Sequence, residues 1–249
     1  LGNDANGGTD FTETNIAAVD QCTDTPTNNF CTLNPLDNYW QSHTFSEGNT
    51  EVLTHSGNYS FSTGTIGLTA GLWYWEIEYH ATSAAVNADI GIVASLATSA
   101  INYLGQSTDA VGYSSRMGEY RKADSDSSGY GDTYAAGDII GVALDLTNSK
   151  LYFAKNGTWQ NSGDPTSGAT GTGAIALTAV GSTANGVYFP AVGDDSGDKT
   201  STLRCIFGGS YADTLSSAAA DANGYGAFEY APPSGYLAIC TKNLGSDGG

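Results

Sequence analysis

The chain has 249 residues, 40% of them hydrophobic and 14% charged, with 33 glycines, 15 tyrosines and one methionine, a mixture rich in turns and strand formers that excludes a helical bundle. Its 26 acids against 8 bases give a net charge of −18, which repels a nucleic-acid backbone and suits a protein kept soluble at high salt or high local concentration. The length admits one large β-sandwich or two small domains, and no run of about 18 apolar residues is present to insert into a membrane. No basic patch offsets the acidity, because Arg116, Arg121 and Lys122 are diluted by Glu119, Asp124 and Asp126.

Residues 1–44 are polar, with scattered anchors at Phe11, Ile16, Val19, Phe30, Leu33 and Leu36 and no sustained period. They predict an extended N-terminal arm lying along another surface. The opening Leu1-Gly2 without a signal peptide suggests a segment of a longer or processed protein. Cys22 and Cys31 are spaced to close a small loop, whereas a reducing compartment would leave them as thiols, and both readings stay open.

Short strands are expected at 50–55 and 59–65 around a Ser56-Gly57-Asn58 turn. In 71–79, Trp73, Trp75, Ile77 and Tyr79 point to one face and Tyr74, Glu76 and Glu78 to the other, which predicts a Trp-lined core face and a solvated face. Glu76 and Glu78, about 7 Å apart by strand rise, also match the carboxylate spacing of glycosidases, so a glycan-cleaving activity is an alternative. Residues 89–94 form a short apolar strand, and 95–132 hold further strands and loops. Within 112–132, Tyr113, Arg116, Tyr120 and Arg121 bring aromatics and cations into an otherwise acidic chain.

The strongest element is a β-hairpin over 137–159. Ile140, Val142, Leu144 and Leu146 share a face that Leu151 and Phe153 continue on the return strand, around a turn at Thr147-Asn148-Ser149. Asn156-Gly157 marks the next reversal. Trp159, Gln160 and Asn161 open a Gly/Ser/Thr/Pro loop to 173, with Trp159 open to a contact role or to packing under its own loop. Strands follow at 174–180, 188–192 and 202–207, where Cys205 alternates with Leu203 and Phe207 as a small buried hydrophobe. The acidic turn Asp194, Asp195, Ser196, Gly197 and Asp198 has the oxygen density of a Ca2+ site but lacks the Glu that closes an EF-hand loop, so no cofactor is required and calcium is the one admitted. A short helix is expected at 216–222, and 228–244 is expected to pack as an edge strand because Pro232 and Pro233 donate nothing to a ladder. His43, His55 and His80 are too scattered for zinc, and no serine-nucleophile elbow is present.

The run Asp138-Ile-Ile-Gly-Val-Ala-Leu-Asp-Leu146 followed by Lys150-Leu-Tyr-Phe-Ala-Lys-Asn-Gly157 resembles the core hairpin of SPRY (B30.2-type) domains. Gly71-Leu-Trp-Tyr-Trp-Glu-Ile-Glu-Tyr79 is similar to that family's Gly-x-Tyr-Tyr-x-Glu-Val strand. Tyr188-Phe-Pro-Ala-Val192 and Thr202-Leu-Arg-Cys-Ile-Phe-Gly208 resemble its closing strands, with Cys-Ile-Phe-Gly where the family usually has Phe-Asn-Phe-Gly. Three further stretches, 24–36, 155–165 and 230–244, resemble a branch found in tailed-phage virion proteins.

The resemblance implies an all-β fold, an antiparallel β-sandwich of two packed sheets over 45–244, with the arm at 1–44 and a flexible tail at 245–249. It implies a non-enzymatic structural and binding protein of the virion, a fibre or decoration protein assembled in the host cytoplasm and oligomeric in the particle. Its partners would be other virion proteins and a host-surface glycan or protein receptor. An intracellular SPRY adaptor is the other alternative. Contacts are expected in the loops 112–132 and 157–173, through Tyr113, Arg116, Tyr120, Arg121, Trp159, Gln160 and Asn161, while the arm before Leu36 docks on another chain or domain. On this view Arg116→Ala with Trp159→Ala leaves the fold intact.

Overall fold

Apolar alternation in the sequence becomes two facing β-sheets. The computed structural model describes residues 8, 12, 14, 22–37, 42–55, 57, 59–82, 88–96, 103–195, 198–209 and 215–247. The expected anchors Phe11, Ile16 and Val19, the turn residues Ser56 and Asn58, and Ser196 and Gly197 lie outside them.

In chain order the strands are β1 (Thr44–Ser46), β2 (Glu51–Leu53), β3 (Ser60–Thr63), β4 (Leu72–Thr82), β5 (Ala88–Val93), β6 (Ala110–Ser114), β7 (Tyr120–Lys122), β8 (Ser125–Ser127), β9 (Ile139–Asp145) and β10 (Lys150–Lys155). They continue with β11 (Thr158–Trp159), β12 (Ile175–Ala176), β13 (Phe189–Asp194), β14 (Ser201–Ile206) and β15 (Leu237–Ala238), before the helix α1 (Thr241–Asp247). The larger sheet has the order β1-β2-β14-β4-β9-β10-β11, with β12 on β10 and β15 on β4; the smaller has β3-β13-β5-β6-β7-β8. Every ladder is antiparallel except the two-residue pairing of β15 with β4.

Between the sheets lie Trp73, Trp75, Ile77 and Tyr79 of β4, Ile140, Val142 and Leu144 of β9, and Leu151 and Phe153 of β10. Ile90, Ile92, Val111, Tyr113 and Val192 of the smaller sheet face them. The β9–β10 turn is fixed by Asp145, whose carboxylate accepts from Asn148 N at 2.8 Å and Asn148 Nδ2 at 2.7 Å. At the far end of β10, Asn156 and Gly157 have φ of 47° and 79°, the left-handed pair of a tight hairpin turn. A side chain at 157 would also meet the Tyr230 ring, 2.6 Å from an added Cβ.

A third layer covers the outer face of the larger sheet. Tyr74, Ala143, Tyr152 and Ile206 project outward from four adjacent strands and are buried by Phe30 of the arm and by Phe228, Tyr236, Ala238 and Cys240 of the C-terminal segment. The stretches 24–36, 155–165 and 230–244 converge here: Cys31 N donates to Ile239 O (2.9 Å), Thr241 N to Asn29 O (2.9 Å) and Tyr236 Oη to Pro165 O (3.0 Å).

Several expectations are corrected. Residues 22–37 are part of the folded unit: Phe30, Cys31 and Leu33 are buried, and Leu33 N donates to Asn49 O (2.8 Å), so this part of the arm docks on its own sandwich. Of the two readings left open for Cys22 and Cys31 the structure has the thiols: all four cysteines are free, with Cys22 exposed and Cys31 buried in the main core. Burial raises the Cys31 thiol to about 11. Residues 216–222 are not helical. Ala219 bridges to Phe228, and the buried Asp221 side chain accepts from Asn223 N and Tyr225 N, local bonds that compete with a helix. The other Asp221 oxygen accepts from Ala238 N (2.9 Å) and Asn243 Nδ2 (2.7 Å), which ties the C-terminal segment together. That segment is no edge strand either. β14 leaves β4 at Ile206 opposite Glu76, and β15 takes up the continuation, Leu237 opposite Trp73 and Ala238 opposite Tyr74, in the middle of the sheet.

Candidate interaction surface

The β6–β7 turn and the 128–138 connection lie at one end of the sandwich, the end where β4 leads into β5 and β13 into β14. Three residues per strand are enough to set facing. Tyr113 pairs with Tyr120 across β6 and β7 and both turn inward, which leaves Arg121 on the outer face. Tyr113 stacks on Phe153 with ring centroids 5.2 Å apart and touches Tyr130 (5.6 Å) and Tyr134 (5.3 Å). Its hydroxyl donates to Asp132 O, and Tyr134 Oη donates to Ala88 O and Tyr113 O. Burial raises the Tyr113 and Tyr130 phenols above their ordinary range. These tyrosines are core: the stretch read as a loop is a three-stranded meander whose aromatics plug the end of the sandwich.

Arg121 is spent inside the molecule. Its guanidinium bonds Asp195 and Asp126 (2.9 Å) and lies 3.7 Å from both Asp89 and Glu119, with only 11% of the side chain exposed. It is therefore not offered to a neighbour's carboxylate. Burial, reinforced by the Asp195 charge, raises the Asp89 carboxyl well above the usual range, while the Arg121 cation counters it. Arg121→Ala removes the cation that bridges these four carboxylates and is expected to lower unfolding free energy by about 3–5 kcal/mol in urea titrations, with Arg121→Lys recovering only part because it lacks the planar fork. A loss below about 1 kcal/mol would put the cluster in the class of exposed ion pairs.

Exposed on this end are Arg116 and Met117, at the tip of the β6–β7 turn, with Met117 56% exposed. The tip is braced: Gly131 N donates to Gly118 O and Tyr134 N to Ser115 O, each at 2.9 Å. Gln160 is buried and holds the bracing loop, accepting from Asp132 N at 2.7 Å. Beside the tip, Asp132, Thr133 and 135–137 are exposed. The other expected contacts do not join this surface. Trp159 is half-buried and packs edge-on to Tyr74 of the outer face (6.5 Å), so its removal perturbs packing and the double change with Arg116 is not neutral to the fold. Asn161 is exposed, with φ 53° and its amide on Gly173 O.

A family model described as SPRY domain matches residues 72–208, more than half of the chain. The chain belongs to the SPRY domain family. The crystal structure of the SPRY domain of human HERC1 has the same fold, with a TM-score of 0.55 at 15% identity, covering 73% of this chain and 98% of that one. No curated protein matches. The SPRY match starts at β4 and ends just after β14, so β1–β3, the arm and everything after Gly208 lie outside it. SPRY domains are in general non-catalytic protein-interaction modules, and the braced turn between β6 and β7 lies within the matched span.

The segment after the SPRY match gives the two carboxylates that spacing had paired different surroundings. Glu76 is buried under the C-terminal segment instead of facing solvent: Oε1 accepts from Tyr74 Oη (2.7 Å) and Tyr230 N (2.8 Å), and Oε2 from Glu229 N (2.7 Å). Glu78 bonds Arg204 (3.3 Å) and His80 (3.0 Å) at the surface. Glu76 is thus enclosed and Glu78 paired at the surface, which differs from the open pair of carboxylates that a glycosidase presents to its substrate. In the acidic turn, Asp194 is a buried strand end, Asp195 is taken by Arg121, and Asp198 is exposed beside Lys199 (2.9 Å). Among the described residues no group of three or more His, Cys, Asp or Glu is placed to hold a metal ion. His43 is buried between the hydroxyls of Ser60 and Ser62 (2.6 Å each), and burial, aided by His55, drives it down to about 3. Sequence reasoning missed Met117, whose signal was a lone large apolar side chain between Arg116 and Gly118 in a polar turn.

Proposed function

We propose that this SPRY protein is a non-catalytic binding module that presents the β6–β7 turn, with Arg116 and Met117 at its tip, to a protein partner, and that it works in the particle of a tailed phage as a fibre or decoration protein. The observation that carries the binding surface is an exposed cation beside an exposed thioether on a turn held by two backbone hydrogen bonds from the 128–138 connection. A pre-organised tip gives up little conformational entropy on binding, methionine adapts to an irregular pocket, and arginine pairs with carboxylates. The virion setting rests on the phage-like stretches 24–36, 155–165 and 230–244, which pack together as the third layer, and on the acidity. The partner is another virion protein or a host-surface receptor, and binding needs no cofactor. An intracellular SPRY adaptor would use the same turn, and the family match favours it equally.

Arg116→Glu with Met117→Ser is expected to leave the thermal midpoint unchanged, because both side chains are exposed, and to weaken incorporation or adsorption more than tenfold, about 1.4 kcal/mol. Wild-type binding by that variant would move the surface elsewhere on the molecule. Mass spectrometry of purified particles separates the two settings: the chain is expected in the particle, and its confinement to cell lysate would favour the adaptor.

A further inference from the structure

At the opposite end of the larger sheet, where Leu72 pairs with Asp145, a groove of about 350 Å3 opens between the β9–β10 turn, the 3-10 helix Pro165–Thr170 and the C-terminal segment. It lies at the small end of ligand clefts, roughly 300–1,000 Å3, and departs from most of them in being as polar as it is apolar.

Its walls are held before any ligand arrives. Asp145 fixes Asn148, Asp164 caps the 3-10 helix by accepting from Thr166 N (2.9 Å), and the buried Tyr236 reaches across to Pro165 O. The groups left facing the groove have one chemistry. The hydroxyls of Thr147 and Ser234 and the Oδ1 of Asn148 make no hydrogen bond to other described residues. Each Asp145 oxygen accepts one bond from Asn148, so further lone pairs remain for a hydroxyl donor. Leu72, half-buried, supplies a small apolar wall. No lysine or arginine lines the groove, and the chain carries a net charge of −18, so phosphates, sulfates and carboxylates are repelled. A ligand with both hydroxyls and a C–H face matches this mixed lining better than a wholly apolar one.

We propose that this groove binds one neutral sugar ring, its hydroxyls shared among Asp145, Asn148, Thr147 and Ser234 and its C–H face against Leu72. One of its walls, Ser234–Tyr236, belongs to the C-terminal stretch of the third layer and lies beyond the SPRY match, so the site is closed by what this chain adds to the sandwich. It is independent of the β6–β7 turn, which lies at the other end.

The test is a titration of the isotope-labelled full chain, followed by amide NMR shifts, with glucose, galactose, mannose and N-acetylglucosamine, and with glucuronate as the anionic control. At least one neutral sugar is expected to shift the amides of 145–148, 166–168 and 234–236 with Kd on the order of 1 mM. Signals of 115–118 should stay in place. Ser234 is exposed at the rim, and Ser234→Trp is expected to fill the groove and weaken binding at least tenfold, while Arg116→Glu with Met117→Ser leaves it intact. The proposal is overturned if no neutral sugar of the set moves those amides, if the shifts centre elsewhere, or if glucuronate alone binds. The wild-type shift map decides the matter even should the Trp variant fail to fold.

Discussion

Cutting the chain after Gly209 is expected to give protein that is insoluble or largely unfolded at room temperature, although the cut lies beyond the whole SPRY match. The loss falls on the outer face of the larger sheet. Tyr74, Ala143, Tyr152 and Ile206 are buried there by Phe228, Tyr236, Ala238 and Cys240, all of which the cut removes. Burying one large apolar side chain is worth about 1.5–3 kcal/mol, and four outward residues are uncovered while their covers are lost. Trp73 and Tyr74 lose the β15 pairing, and Glu76 loses both backbone donors while remaining next to an apolar face. Against a domain stability of about 5–15 kcal/mol these losses dominate. Phe228→Ala, which stands edge-on to Tyr74 at 5.2 Å, is the milder version and is expected to cost about 3–5 kcal/mol in urea titrations. A soluble 1–209 chain melting within a few degrees of the full one would show that the third layer is only an ornament on an independent sandwich.

The same layer marks the limit of what the sequence discloses. The β9–β10 hairpin and β4 are legible because each has at least six residues of alternation, long enough for face assignment, and because Asn156-Gly157 is a turn signal with a known geometry. β7 and β8 have three residues each, too few to alternate visibly, so Tyr120 and Arg121 were read as loop residues, and Tyr113, near the end of the five-residue β6, was read with them. Glu76 and Glu78 have the same parity in β4 and different fates. What decides between them is a segment some 150 residues away whose backbone arrives over one and not the other. Nothing in local spacing encodes that arrival, and the C-terminal segment has no period of its own to announce a packed layer. Asp221 is the nearest thing to a signal, an aspartate in an Ala/Ser run that would otherwise favour helix. On the candidate surface the sequence singled out Arg116 but placed it with Trp159 and Asn161, which the fold sends to other faces.

Unfolding free energy is expected to rise as pH is lowered from about 8 to about 5, with Glu76 a principal source. Burial raises its carboxyl from 4.5 to about 7, against the opposing bonds from Tyr74, Tyr230 and Glu229. The folded state then binds a proton that the unfolded chain releases at 4.5, so between those values the native form holds more protons and stability falls as pH rises, levelling off above about 7. The shift corresponds to ~3 kcal/mol lost across that window, at most about 1.4 kcal/mol per pH. Asp89, also raised, acts in the same direction, and so does self-repulsion at a net charge of −18. Asp138, held below its ordinary value chiefly by hydrogen bonds from Ala135 N and Asn156 despite partial burial, works the other way, but only below about pH 4, where its stabilisation is lost. Glu76→Gln isolates the Glu76 part. It cannot titrate, so its stability should vary less between pH 5 and 7 than that of the wild type, while the other contributions are common to both. It should also be less stable at pH 5, because an amide nitrogen there faces either the Glu229 N–H or the Tyr230 N–H, donor against donor, a cost of about 1–3 kcal/mol. Glu76→Ala, which leaves both N–H groups unpaired under the C-terminal segment, should cost more still at every pH. Parallel pH profiles for wild type and Glu76→Gln would assign the slope to Asp89 and surface repulsion, and would mean that Glu76 meets the segment as an ordinary solvated carboxylate.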